Sequence, residues 1–146
     1  KSQSAHSNLM QCYSMSGIKE LDTLLKAMKP VLIGKEYVFC TLNDIKYSKL
    51  SPLLIFKEKE GVTVIIDRKT ADNNSLSYSE VWALITLTVH SDLSAIGFLA
   101  RITNEFADSG IGVNVVSAYY HDHLFVPFDK KEKAIDILNK LSKLVS

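Results

Sequence analysis

Two cysteines in 146 residues leave no disulfide framework. Cys40 stands inside the apolar run YVFC and reads as a small buried hydrophobe in a reducing compartment. Charge of one sign is equally scarce. Seventeen basic residues meet sixteen acidic ones, for a net charge of +1. That balance gives no general pull toward nucleic acid or an anionic membrane, and neither is expected as a partner. No apolar stretch approaches the ~20 residues that span a bilayer. The longest, Val81 to Val89, is broken by Thr86 and Thr88. The expected location is the cytoplasm. Catalytic signatures are missing as well: there is no nucleophile motif, P-loop, dinucleotide fingerprint or zinc pattern. Gly110 and Gly112 make a G-x-G, but it follows a helix and lacks a third glycine. A non-enzyme without cofactor is the expectation.

What is present suits a folded domain. Apolar residues make up 47% and charged residues 23% of the chain, ordinary values for a soluble globular protein. The length allows one compact domain or two very small ones sharing a core. Residues 1–14 show no periodicity and no signal-peptide pattern, and read as a tail that is either disordered or added to the natural chain, with Met15 as a natural start. Ile18, Leu21, Leu24, Leu25 and Met28 recur at helical spacing, with Ser16 as N-cap and Pro30 beyond the end. Tyr37 to Leu42 reads as a buried strand. LLIF and VTVII around KEKEG read as a hairpin. Asp67 to Ser79 is polar and weakly helical, a link between two units spanning 15–78 and 79–146.

The second unit is written more clearly. In WALITLTVH, Ile85, Leu87 and Val89 alternate with Thr86, Thr88 and His90, a strand with one face on a core. Ser91 or Asp92 is positioned to cap a helix carrying Leu93, Ile96, Leu99, Ile102 and Phe106, which Gly110 stops. GVNVVSAYY reads as a strand, HDH as a tight turn and LFVPF as the antiparallel partner. Asp129 and Glu132 suggest an acidic capping box for a last helix burying Ile135, Leu138, Leu141 and Val145. The resulting β-α-β-β-α order is a ferredoxin-like unit without its fourth strand. Its bare edge needs a partner, and the strands of the first half are the economical source.

Three groups of residues could carry function. Ser91, Asp92 and Ser94 cluster at an expected helix N-terminus, whose free N–H groups attract a carboxylate, and Gly97 allows close approach. An ordinary cap would need the same residues. Asn114 is polar in an apolar strand, so a buried amide there must find backbone or ligand partners. His121, Asp122 and His123, with His90 nearby, offer imidazoles and a carboxylate for a metal. A turn histidine that bonds a ligand reads better from the spacing, and no metal is expected. Tyr119, Tyr120, Phe125 and Phe128 read as a packed aromatic group around the hairpin.

SGIKELDTLLKAMKP, EYVFCTL, FKEKEGVTVII and above all TLTVHSDLSAIGFLA and NVVSAYYHDHLFVP resemble the small stand-alone tandem ACT-domain proteins of bacteria. These are similar to the ACT repeats of aspartate kinase and the CASTOR-type arginine sensors. The resemblance runs from Met15 to the C-terminus. It implies an α+β, ferredoxin-like (βαββαβ) ACT architecture: two intertwined units, antiparallel sheets, helices on one face. It also implies a regulatory module binding a small molecule, an amino acid above all, at a unit interface. The first strand–helix loop and the second strand would hold it, here through Ser91, Asp92, Leu93, Ile96, Gly97, Asn114 and Val115, with His121 and Asp122 adjacent. No catalytic domain accompanies the ACT units, so a homodimer or a separate partner enzyme would read the signal. The rival reading is an interaction or oligomerisation module without a small-molecule ligand.

Overall fold

The computed structural model describes residues 20–43 and 49–145. The expected tail, Ser16 and Ile18 lie outside them. Helix α1 spans Leu21–Ala27 and buries Leu24 and Leu25. It hands over to β1, Pro30–Leu42, thirteen residues long. Pro30, two residues past the helix C-cap Met28, is the first residue of the strand, a position that suits its missing N–H. The hairpin forms as expected from β2, Leu54–Lys57, and β3, Val62–Asp67. Helix α2 follows at Arg68–Asn73, capped by the Asp67 carboxylate accepting from the Lys69 amide at 2.9 Å. Then come β4, Trp82–Leu87; α3, Phe98–Asp108; β5, Asn114–Ser117; β6, Asp122–Pro127; and α4, Lys131–Leu144.

The six strands form one antiparallel sheet in the order β2-β3-β1-β4-β6-β5. The long β1 serves two partners. Pro30 to Ile33 pair with Leu87 to Leu84, whereas Tyr37 to Leu42 pair with Asp67 to Val62. A bulge between Ile33 and Glu36 interrupts the pairing with β4, which resumes at Glu36 with Ala83 and Tyr37 with Trp82. Each half of the sheet is thereby a four-stranded ferredoxin-like unit: β1-β4-β6-β5 on one side, β4-β1-β3-β2 on the other. The strand missing from the C-terminal unit is the start of β1, and β4 closes the N-terminal unit in return.

Alternation along the strands decides the rest. Ala83, Ile85, Leu87, Leu124 and Val126 face α1, α3 and α4, meeting Leu24, Met28, Ile102, Phe106 and Leu138 in the main core. Val38, Cys40, Val64 and Ile66 pack with Ala71 of α2 in a smaller one. Burial pushes the Cys40 thiol up, away from the reactive thiolate, as the buried-hydrophobe reading requires. Tyr37, Ile65, Leu84 and Phe125 form a third cluster on the opposite face. Among the described residues no helix is long and apolar enough to cross a membrane.

Four local expectations are corrected. Helix α3 begins at Phe98 behind Gly97, not behind Ser91 or Asp92, so Leu93 and Ile96 belong to a loop. Helix α4 is entered through a 3-10 turn at Phe128–Lys130, and its N-cap Lys130 makes no side-chain cap, so Asp129 and Glu132 form no capping box. The hairpin reverses over Ala118–His121, closed by the Ala118 amide donating to the His121 carbonyl at 3.0 Å. HDH is thus mostly strand. Tyr119 and Tyr120 sit exposed in that turn beside His90 rather than packing on Phe125.

Candidate functional site

The β4–α3 connection, the start of α3 and the adjoining ends of β5 and β6 enclose a small cavity of about 130 Å3. Ser91, Asp92, Leu93 and Gly97 line it from the loop, Ser117 from β5 and Asp122 from β6. Phe98, Leu99 and Ala100 contribute the first turn of α3. The Arg101 amide is the first to find an intrahelical acceptor, the Gly97 carbonyl at 3.0 Å. The three amides before it are the free donors of the helix end, where the dipole is positive. Gly97 holds φ +85°, a conformation that other residues adopt at a cost, and this turns the chain from loop into helix.

Asp122 and Ser91 are the buried polar residues here, 6% and 7% exposed. The Ser91 hydroxyl donates to Asp122 Oδ2 at 2.8 Å. A hydroxyl bonded to a buried carboxylate is worth about 1.5–3 kcal/mol, because its loss leaves the charge without a partner. We expect Ser91→Ala to lower Tm by roughly 5–12 °C. Thermal unfolding followed by circular dichroism checks this. An unchanged Tm would mean that the bond stabilises nothing. Asp92 makes a different contact. Its carboxylate accepts from the Ser94 amide at 2.8 Å and from the Ser94 hydroxyl, a turn within the loop rather than a helix cap.

The expected residues therefore divide. Ser91, Asp92, Leu93, Gly97 and Asp122 come together at the cavity. Ile96 projects from the same loop, 86% exposed, and does not line it. Asn114 is exposed, not a buried amide, and pairs with Phe125 on the sheet face away from the helices. Val115 packs into the main core as a half-buried residue. His121 lies at the end of the turn. Ser117, which sequence reasoning passed over, lines the site because it pairs directly with Asp122. Its position three residues beyond Asn114 on the same strand was the available signal.

The alternation of β6 also separates the HDH residues. Asp122 faces Ser91 on the helix side, whereas His123 faces Thr86 on the other, with Thr86 Oγ1 and His123 Nδ1 2.9 Å apart. One cation cannot reach both across the sheet. Burial pushes the His123 imidazole below its ordinary 6.5; nearby His121 lowers it further and Asp122 partly offsets this. An unfolded chain then takes up this proton before the folded one does. Stability must fall as pH drops through about 6.5 and level off below the folded value. We expect wild type to lose more stability than His123→Asn between pH 7 and 5, by urea unfolding. Parallel curves would contradict this.

Through Ser117 the cavity adjoins the end of β5, one of the two edge strands of the sheet among the described residues. Known proteins give this arrangement a context. No curated protein sequence matches the chain. A solved protein of unknown function from Vibrio cholerae, described as a possible transport protein, is 41% identical over 87% of this chain and 99% of its own, with a TM-score of 0.77. A protein from Agrobacterium tumefaciens shares 16% identity over 77% of this chain and 87% of its own, at a TM-score of 0.64. The regulatory subunit of aspartate kinase from Thermus thermophilus shares 10% over 80% and 98%, at 0.59. These last two similarities are of fold. Two ACT-domain profiles match in succession, over residues 16–83 and 77–140, and together they cover most of the sequence. The chain belongs to the ACT-domain family.

Proposed function

We propose that this chain is a non-catalytic regulatory module, located in the cytoplasm, that binds an amino acid at the Ser91–Ala100 cavity, with a second copy completing the site. The carrying observation is the pairing of opposite electrostatic features within one small space. The free amides of Phe98 to Ala100 suit an α-carboxylate. The Asp122 carboxylate, with Oδ2 held by Ser91, suits an α-ammonium. A zwitterion satisfies both ends at once, which neither a simple anion nor a cation does.

The cavity alone is smaller than the ~300 Å3 at which ligand pockets begin. It adjoins the edge strand β5 through Ser117, Leu93 on its lining is 67% exposed, and Ile96 projects from the same loop. Another chain pairing on that edge would cover both and deepen the cavity. The ACT matches and the fold shared with aspartate kinase regulatory subunits support this reading. Ligand occupancy would then favour one subunit arrangement by its higher affinity for it, and a partner would read the change.

Thermal unfolding against each of the twenty proteinogenic amino acids at millimolar concentration tests the proposal. One of them at a hundredfold excess over Kd stabilises by about 2.7 kcal/mol. No stabilisation by any of them would overturn the ligand assignment. The exposed Leu93 and Ile96 also favour a second reading, an assembly module without ligand. Sedimentation that depends on protein concentration but not on amino acids would select it.

A further inference from the structure

The third apolar cluster lies on the sheet face that no described helix covers, and it is hollow. A cavity of about 430 Å3 is lined by Ile33, Tyr37 and Leu84, with Val116 and Phe125 beyond them and Leu53 at the rim. Its composition from both margins of the sheet is informative. Leu54 belongs to β2 and Val116 to β5, the two edge strands. Five strand spacings of about 4.8 Å would hold those margins ~24 Å apart in a flat sheet. Residues from both margins of the sheet nonetheless line this one cavity.

We propose that this hollow is a second binding site, for an uncharged, mostly apolar small molecule that contains an aromatic ring and carries one hydrogen-bonding group. The volume falls within the ~300–1,000 Å3 usual for ligand pockets. None of its lining side chains is an acid, a lysine or an arginine. A charged ligand would lose its hydration without gaining a partner. Tyr37 and Phe125, edge to face with centroids 6.1 Å apart, provide aromatic walls. At one end stand Thr86 and His123. Thr86 occupies Nδ1 of the imidazole, and Nε2 has no partner among the described residues, so one polar ligand group can bond there. Burial also favours the neutral imidazole, consistent with an uncharged occupant. The site stands on different residues from the amino-acid cavity and does not depend on it.

The probe for this test is N-phenyl-1-naphthylamine, which is uncharged, aromatic and carries one N–H. Trp82, the single tryptophan, is linked to the hollow through Phe39 and Phe125, with ring centroids 5.7 and 5.4 Å apart, and serves as energy donor. We expect saturable, one-to-one binding with emission sensitised by Trp82. Val116→Trp, which fills the hollow, and Leu53→Asp, which charges its exposed rim, should each weaken binding at least tenfold. Lys140→Ala, on the exposed side of α4, should not. The anionic probe 8-anilinonaphthalene-1-sulfonate should bind at least tenfold more weakly than the neutral one. The Leu53 variant keeps the test decisive should the Val116 variant misfold. Unsaturable binding, equal affinity for the anionic probe, or wild-type affinity in both hollow variants would overturn the proposal. So would probe capacity that falls as the chain dimerises in sedimentation, since a second copy would then be the occupant.

Discussion

A chain starting at residue 36 should show no cooperative unfolding transition. Removing residues 20–35 deletes α1 and the part of β1 that pairs with Leu84 to Leu87. The C-terminal unit then loses its fourth strand, and β4 presents an unpaired edge. It also loses Leu24, Leu25 and Met28, all buried against α3 and α4. Burying each such side chain contributes about 1.5–3 kcal/mol, so these three amount to roughly 5–9 kcal/mol. That approaches the whole stability of a typical domain, about 5–15 kcal/mol. Circular dichroism during heating and urea titration would read the outcome as a broad, sloping loss of signal. A sharp transition near the wild-type midpoint would show that the two units stand independently.

Phe106→Ala should be the most damaging single substitution at a distance from the loop. Phe106 is fully buried at the far end of α3, in the core that also holds Ile102 and Leu138. Truncating such a ring costs about 3–5 kcal/mol, from lost burial and from the cavity left behind. Tm should fall by roughly 10–20 °C. Helix α3 carries the amides that line the Ser91 cavity, so looser seating of the helix should also weaken the proposed amino-acid binding under conditions where the variant is still folded. A loss of stability below about 1 kcal/mol would mean that the surrounding side chains close the gap, and the helix would then be less firmly held than its burial indicates.

Much of this was legible in the letters, for identifiable reasons. The period-two pattern of Ile85, Thr86 and Leu87 gave both the strand and its buried face, because burial on one side of a sheet leaves that trace. Helices α3 and α4 were readable from Leu99, Ile102 and Phe106 and from Leu138 and Leu141. The length of β1 was not. PVLIGKE contains a proline and a glycine, which locally suggest a helix end and a break. Only pairing with two different strands, β4 along Pro30 to Tyr37 and β3 along Tyr37 to Leu42, makes it one continuous strand. The start of α3 was misplaced because Asp92 bonds the amide two residues ahead in a loop much as it would in a cap. Local hydrogen-bond chemistry does not reveal whether a helix follows.

The site was half legible by the same logic. Ser91, Asp92, Gly97 and Asp122 were singled out through residue type and family resemblance, and the fold brings them together at one cavity. Asn114 was misjudged because its polarity said nothing about which way β5 faces. Pairing of Asn114 with Phe125 and of Ser117 with Asp122 decides that, and it places the serine at the cavity. His121 and His123 looked like companions of Asp122 when HDH was read as a turn. As strand residues, Asp122 and His123 belong to opposite faces, and so to two different hollows.

Amide NMR of the isotope-labelled chain, titrated with the amino acid that stabilises it most, most directly tests the claim that an amino acid binds beside the start of α3. Saturable shifts should concentrate at Ser91, Asp92, Gly97 to Ala100, Ser117 and Asp122, with the amides of Phe98 to Ala100 moving furthest. A spectrum unmoved at saturating concentration, or shifts gathered elsewhere on the sheet, would contradict it.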